Sequence, residues 1–372
     1  MKFLTCFMIT ILVLILGYQS DAVSQEKKRP RKKQKRVIGK IPILKSDHIR
    51  YIDAHMHLKA AKTGNKDKIN SAIVNTLETM DKLGIQKCLL MPPPYTSAML
   101  KTFDYKVLAR ISKMHPKRFG FIGGGGSLNI MIHQSVVNKQ VSSELRKRFL
   151  AKAHEIAEAG AAGYGELTGT HFSFGPRHPF INVPADHPLF LALADIAAVN
   201  GLPIDIHMEA VPKNMPRPKG VGKPLVSPNP KELTENIKGL ENLLAHNRKA
   251  KIVWAHVGWG HTGERSAALT RTLLKKHSNL YLGLKFHNHS RRETQLLLPN
   301  GKIRTDWLTL IGDYPDRFVL GSDQIFYDLN KMLSEKGAPW GAHHSRTIID
   351  QLPQKLAQKI GVTNPEKVYK LK

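Results

Sequence analysis

Eight short stretches rich in β-branched and aliphatic residues recur along the chain, at residues 51–57, 86–91, 119–123, 161–166, 202–207, 251–256, 279–286 and 317–323. Longer stretches lie between them, with apolar residues at mixed three- and four-residue spacing, as at 68–83, 142–159, 188–200, 230–246 and 264–277. The first kind reads as strands and the second as helices with one apolar face. Alternation of this kind calls for a parallel sheet with helices outside it, and eight units predict closure into an α/β fold of (β/α)8 (TIM) barrel type. Local punctuation agrees: Ser143-Glu144-Leu145 offers a helix start with a candidate cap, and Asn200-Gly201 stops a helix just before a strand. Neither an internal repeat nor a second domain is visible.

The two ends of the alternation differ in character. Lys2 precedes an apolar run at residues 3–16, followed by Gly17 and by Ala22 and Ser24 at the small-residue spacing of a signal peptidase site. The run is shorter than the roughly 20 apolar residues that span a bilayer, so residues 1–24 are expected to be a cleaved signal peptide, leaving no stable membrane span and a secreted or periplasmic protein. Of the two cysteines, Cys6 falls inside that segment, so the mature chain would hold Cys88 alone and no internal disulfide. Residues 25–45 read as a basic flexible arm around KKRPRKKQKR, either a solvated linker or a contact for an anionic surface or polymer without specific nucleic-acid recognition, and residues 46–372 as the barrel. Leaving out residues 1–40 still leaves 47 Lys and Arg against 27 Asp and Glu, so the positive charge is not confined to the arm. A hydrophobic content of 41% is enough for the core that such a barrel needs.

The chemistry sits at the ends of the strands. Asp53-Ala54-His55-Met56-His57 closes the first of them, and side chains two apart on a strand point the same way, which brings both imidazoles within reach of one ion. Asp53 shares that face one layer deeper. Glu166 follows AAGYG, His207 follows LPIDI, His256 follows KIVWA and Asp323 follows RFVLGS. One such residue would mean little, but five strands of a barrel ending on ligand-type side chains at the catalytic face describe a metal site.

With these motifs in view, the chain resembles the amidohydrolase superfamily, and more closely its amidohydrolase-related branch, whose members include lactonases and non-oxidative decarboxylases. The resemblance runs over residues 52–323 and rests on IDAHMH, GYGEL, IDIHME, VWAHVGWG and VLGSD in that order. It implies that His55, His57, His207 and Asp323 hold the metal, while His256 either completes the site or faces the substrate. Glu166 stands where many relatives carry a carboxylated lysine bridging two metals, which leaves one or two ions open.

Neutral imidazoles and carboxylates suit Zn²⁺, with Mn²⁺ as the alternative. The expected activity is metal-dependent hydrolysis of a C–O or C–N bond in a small anionic lactone, ester or amide, with Asp323 as base and His256 as donor to the developing oxyanion. A decarboxylase could use the same ligands, with Asp323 protonating the carbon that loses CO2. A third reading, a binding protein on a barrel scaffold, has no need of five such residues at one rim. The loops after the strands are basic, and Arg177, Arg291 and Arg292 are the candidate substrate anchors, since a guanidinium binds a carboxylate or phosphate in two-point fashion. Trp254 and Trp259 flank His256 as core residues or as walls of a pocket. Oligomeric state is not legible.

Overall fold

Every residue of the first strand, β1 (Tyr51–Leu58), is buried, as expected for a strand covered on both faces. The computed structural model describes residues 48–371 apart from 100, 174–178, 222–228, 288–289 and 329–338, so the segments expected to be a signal peptide and a basic arm, and Arg177, lie outside the described residues. Beside β1 run β2 (Ile85–Leu90), in parallel register Tyr51 to Ile85 and Met56 to Leu90, and the first part of β3 (Phe119–Phe121), with Cys88 opposite Phe119. The same β3 segment resumes at Gly123–Gly124, and there it pairs with β4 (Tyr164–Thr168). The ladder continues in parallel through β5 (Pro203–His207), β6 (Lys251–Val257) and β7 (Leu280–Leu284) to β8.

Strand β8 is also in two parts. Phe318–Leu320 pairs with β7, and Gln324–Phe326 returns to β1 with Met56 opposite Gln324. Two hydrogen-bonded sheets, of four and six strand pieces, thus share two continuous chain segments. Followed through β3 and β8, the order of strands runs once around and back to its start, which is the (β/α)8 barrel. The two interruptions, at Ile122 and at Gly321 to Asp323, are where the ladder changes partner.

Helices connect the strands on the outside. In α1 (Lys66–Leu83), Asn65 caps the first turn through Oδ1 to the Lys68 amide at 3.0 Å, and Gly84 ends it in the left-handed conformation that glycine adopts without strain. Tyr105–Met114 and Leu128–Val137 follow as α2 and α3, on either side of β3. Ser142, one residue earlier than the sequence suggested, caps α4 (Ser143–Glu158) through Oγ to the Leu145 amide. Helix α5 (Pro188–Asn200) has the expected bounds, with proline in its first turn and Gly201 after its end.

The helix expected over residues 230–246 begins only at Ile237, as α6 (Ile237–His246). Glu232–Leu233 instead pairs antiparallel with Met215–Pro216, and Asn236 ties the turn to the rim, donating from Nδ2 to Thr170 Oγ1 and to the Glu209 carbonyl. Those side-chain bonds compete with a helical ladder, and the segment becomes part of the loops over the strand ends. Helices α7 (Ala267–Lys276), α8 (Thr305–Asp313), α9 (Trp340–Ile349), α10 (Gln354–Gln358) and α11 (Asn364–Tyr369) complete the chain. The Tyr369 ring is fully buried and, with Ala54, Val253 and Val319, lines the barrel interior beneath His55 and His256. Among the described residues no helix is long and apolar enough to cross a membrane.

One buried group outside the rim makes stability depend on pH. Burial, and then the neighbouring His187, lower the pKa of His133 on α3 from the ordinary histidine range to about 4. The folded chain therefore keeps this ring neutral while the unfolded chain protonates it. Its contribution is complete above about pH 6.5 and declines as the pH falls towards the folded-state value. Urea midpoints measured from pH 7 to 4 are expected to fall less steeply in His133→Gln than in the parent, and parallel curves would show that this ring contributes nothing.

Candidate metal centre

The rim of the barrel gathers the predicted ligands into one buried cluster. His55 and His57 lie two apart on β1, and their Nε2 atoms face one another at 3.3 Å. Each ring is oriented from behind. His57 Nδ1 donates to the Met91 carbonyl at 2.9 Å, and His55 Nδ1 donates to Asp205 Oδ2 at 3.3 Å. With Nδ1 protonated in both rings, the neutral form of each would present an Nε2 lone pair to the same small space. Asp53, one layer down on β1, takes the His55 amide at 3.2 Å and the Ser322 amide at 3.0 Å on Oδ1, tying the first strand to the last.

Glu166, at the end of β4, stands in the middle. Its Oε1 is 2.8 Å from His207 Nδ1 and 3.1 Å from His256 Nε2, while its Oε2 is 3.3 Å from His57 Nε2 and 3.7 Å from His55 Nε2. Asp323 brings Oδ1 to 3.0 Å from His57 Nε2. Two groups therefore have the spacing to hold an ion, His55 with His57 and Asp323, and His55 with Glu166 and His256. Among the described residues, His207 Nε2 and His256 Nδ1 are buried and have no hydrogen-bond partner.

The electrostatics favour positive charge here, whether as protons on the imidazoles or as a metal ion. Burial alone would lower the pKa of His57, but its hydrogen bonds to Asp323 and Glu166 outweigh that and raise it to about 9. Burial likewise opposes ionisation of Glu166, yet the four imidazoles around it hold its pKa well below the usual carboxylate range. Ring nitrogens and carboxylate oxygens converge among side chains that are buried save for part of Asp323, an arrangement that needs protons or a metal ion between them. Imidazole and carboxylate donors with fixed tautomers are what a divalent metal takes, so the residues present fit such an ion.

The backbone bends to make this geometry. His256 (φ 63°) and Asp323 (φ 52°) both occupy the left-handed region, where a non-glycine residue carries on the order of 1–3 kcal/mol of strain. Two glycines permit the close approaches beside them. A Cβ on Gly321 would lie 3.0 Å from the Cβ of His55, and one on Gly258, which has φ 95°, would lie 2.7 Å from the Lys285 carbonyl. Gly321→Ala is expected to push β8 away from β1 and weaken metal uptake more than it lowers the melting temperature; loss of both in proportion would mean general unfolding.

Two further residues belong to the cluster. Asp205 lies two residues before His207 on β5 and on the same face, a relation visible in IDIHME by the two-residue period that also links Asp53 to His55. Lys285, just past β7, pairs its ammonium with Asp323 Oδ2 and lies 4.1 Å from the centroid of the Trp259 ring. In the sequence it was only one basic residue among several in its loop. Trp259 walls the site, its ring 5.6 Å from that of His256 and 5.8 Å from that of His207, whereas Trp254 is core and donates Nε1 to the Met208 carbonyl. Of the candidate anchors, Arg291 is bonded to the His261 and Lys219 carbonyls and braces the loops, and Arg292 is exposed.

The amidohydrolase family model matches residues 144–371, more than half of the chain. The chain belongs to the amidohydrolase family, whose members are metal-dependent enzymes. The matched span contains Glu166, His207, His256 and Asp323, and the barrel brings to them the His55 and His57 pair from outside it. No curated protein matches the sequence.

Among solved structures, a 5-carboxyvanillate decarboxylase from Novosphingobium aromaticivorans, complexed with manganese and 4-hydroxy-3-methoxy-5-nitrobenzoic acid, is similar at 13% identity and a TM-score of 0.48, covering 89% of this chain and 99% of that one. A probable 2-pyrone-4,6-dicarboxylic acid hydrolase from Acinetobacter baumannii with citric acid bound is similar at 10% identity and 0.48, covering 87% and 100%. A 2,6-dihydroxybenzoate decarboxylase from Rhizobium gives 13% and 0.45, covering 87% and 99%.

Proposed function

We propose that this chain is a hydrolase with a two-ion centre that opens a C–O or C–N bond in a small anionic substrate such as a lactone, ester or amide. The observation that supports this reading is the division of Glu166, one oxygen towards His207 and His256 and the other towards His55 and His57. A carboxylate shared in this way would do what the resemblance assigns to the carboxylated lysine of relatives. His55, His57 and Asp323 would hold one ion and His207 and His256 the other, with Glu166 between them. Zn²⁺ suits these donors best, with Mn²⁺ the alternative; when bound, such ions lower the pKa of water towards about 7 and polarise a carbonyl oxygen.

The chain's own groups do the rest. The Met91 carbonyl and Asp205 hold the Nδ1 protons of His57 and His55, so Nε2 is the nitrogen each ring would offer to an ion. Asp323 turns Oδ1 towards those nitrogens, where it would help to hold the ion, and pairs Oδ2 with Lys285; its carboxylate is the base that would take the proton of the attacking water. His256 completes the second group through Nε2, the first of the two roles open to it. Trp259 closes one side of the space and limits access of bulk water.

Two measurements test the reading. Elemental analysis of the purified protein is expected to find two ions per chain. A panel of lactones, esters and amides in ¹⁸O-labelled water is expected to give a product carrying one labelled oxygen. Release of CO2 without incorporation of label would replace hydrolysis with carbon–carbon cleavage on the same ligands.

A further inference from the structure

Lys285 has no part in a simple inventory of metal ligands, yet it is among the most constrained side chains of the site. It is 6% exposed, its ammonium is paired with Asp323 Oδ2, and the Trp259 ring lies beside it at 4.1 Å. Its backbone is fixed as well, since the Lys285 amide donates to the Val257 carbonyl at 2.8 Å on the neighbouring strand. A buried cation so close to a group expected to hold divalent cations opposes their binding by simple Coulomb repulsion. A residue that weakens the site in this way needs a compensating purpose.

The geometry of Asp323 supplies one. Its Oδ1 faces His57 Nε2 at 3.0 Å and His55 Nε2 at 4.0 Å, while Oδ2 is turned to the ammonium. A carboxylate with both oxygens free can close on one ion with both of them and fill a position there. Catalytic metal sites differ from structural ones in keeping such a position open for water or substrate.

We propose that Lys285 is a positioning residue that acts through Asp323: it ties down Oδ2, leaves Oδ1 alone to face the metal, and so keeps one coordination position open. The inference rests on the metal-centre reading and assigns to Lys285 what separates a working site from a closed one. Trp259 is the backing that keeps the ammonium in place. Removing the charge should therefore make the site bind metal better and exchange ligands worse, a combination that a merely structural lysine would not produce.

The test uses the full chain with metal alone, so no substrate is needed. Metal-free parent, Lys285→Met and Lys285→Arg proteins are titrated with Zn²⁺ against a chromophoric chelator, and then loaded with Co²⁺ and exposed to azide while the visible spectrum is followed. Lys285→Met is expected to bind Zn²⁺ at least about tenfold more tightly than the parent, because a like charge is gone and a second oxygen is released. Its Co²⁺ spectrum should respond to azide weakly or not at all, whereas the parent responds. Lys285→Arg, which keeps the charge beside Asp323, should not show the tighter Zn²⁺ binding of Lys285→Met.

Unchanged or weaker Zn²⁺ binding by Lys285→Met, with its melting temperature retained and its azide response intact, would overturn the positioning role and leave the metal centre standing. A Lys285→Met protein that fails to fold moves the decision to Lys285→Arg and Lys285→Gln on the same two readouts. A parent that takes up no metal at all would overturn the centre itself, and the role of Lys285 with it.

Discussion

Glu166→Gln is expected to leave a folded protein that holds at most one ion per chain and has lost on the order of 100-fold or more in affinity for the second. The change keeps the shape of the side chain and removes its charge. In the parent, the carboxylate stands between four buried imidazoles, with every contact from 2.8 to 3.7 Å made by one of its two oxygens. An amide offers one oxygen and one nitrogen, and the nitrogen can only donate, so whichever pair of imidazoles it faces is lost to a shared cation. Buried polar groups left without a partner cost about 1–3 kcal/mol each, and the variant should also melt lower when metal-free. The measurement is stoichiometry by elemental analysis beside a chelator competition. Two ions per chain at parental affinity would remove Glu166 from the centre.

The second large effect concerns the first strand. Adding Zn²⁺ to the metal-free protein at about 100 times its dissociation constant stabilises the fold by about 2.7 kcal/mol per ion. For a domain of this size that corresponds to a rise of roughly 5 °C in melting temperature. The double variant His55→Ala/His57→Ala is expected to show no such rise in a calorimetric scan and to retain no metal after dialysis. Both Nε2 atoms are gone, and Asp323 Oδ1 and Glu166 Oε2 lose the nitrogens they face. The variant should still fold, because the strand's apolar neighbours Ala54, Met56 and Leu58 hold it in the barrel core. A zinc-dependent rise equal to the parent's would show that the cation binds elsewhere.

Much of this site can be read from strand ends. His55, His57, Glu166, His207, His256 and Asp323 were each legible because a parallel barrel leaves its strands' last residues at one rim, whatever their distance in sequence. The two-residue period also carries the second layer, with Asp53 below His55 and Asp205 below His207. Lys285 was not legible, because its contacts depend on three elements at once: β7 on which it ends, β8 which brings Asp323, and the loop after β6 which brings Trp259. No spacing within one segment encodes that meeting. Arg291 shows the converse, a guanidinium of the right type whose donors go to carbonyls of neighbouring loops.

The same division holds for the fold. Helix α5 was legible to the residue because proline and glycine mark its two ends. Residues 230–236 were not, since their apolar spacing continues into α6 and the bonds from Asn236 to Thr170 and Glu209 come from a distant part of the chain. The breaks in β3 and β8 likewise arise from ring closure, a tertiary requirement that leaves no periodic trace beyond its glycines.

The seam between the first and last strands also sets a schedule for the living cell. Asp53 and Ser322, which join β1 to β8 beside the centre, are 269 residues apart. At about 5–20 residues per second, a ribosome delivers the second roughly tens of seconds after the first. Throughout that interval Asp323 has not been made, and the cage it completes does not exist. An ion held by this cage would therefore be taken up only after Asp323 has joined the other strand ends.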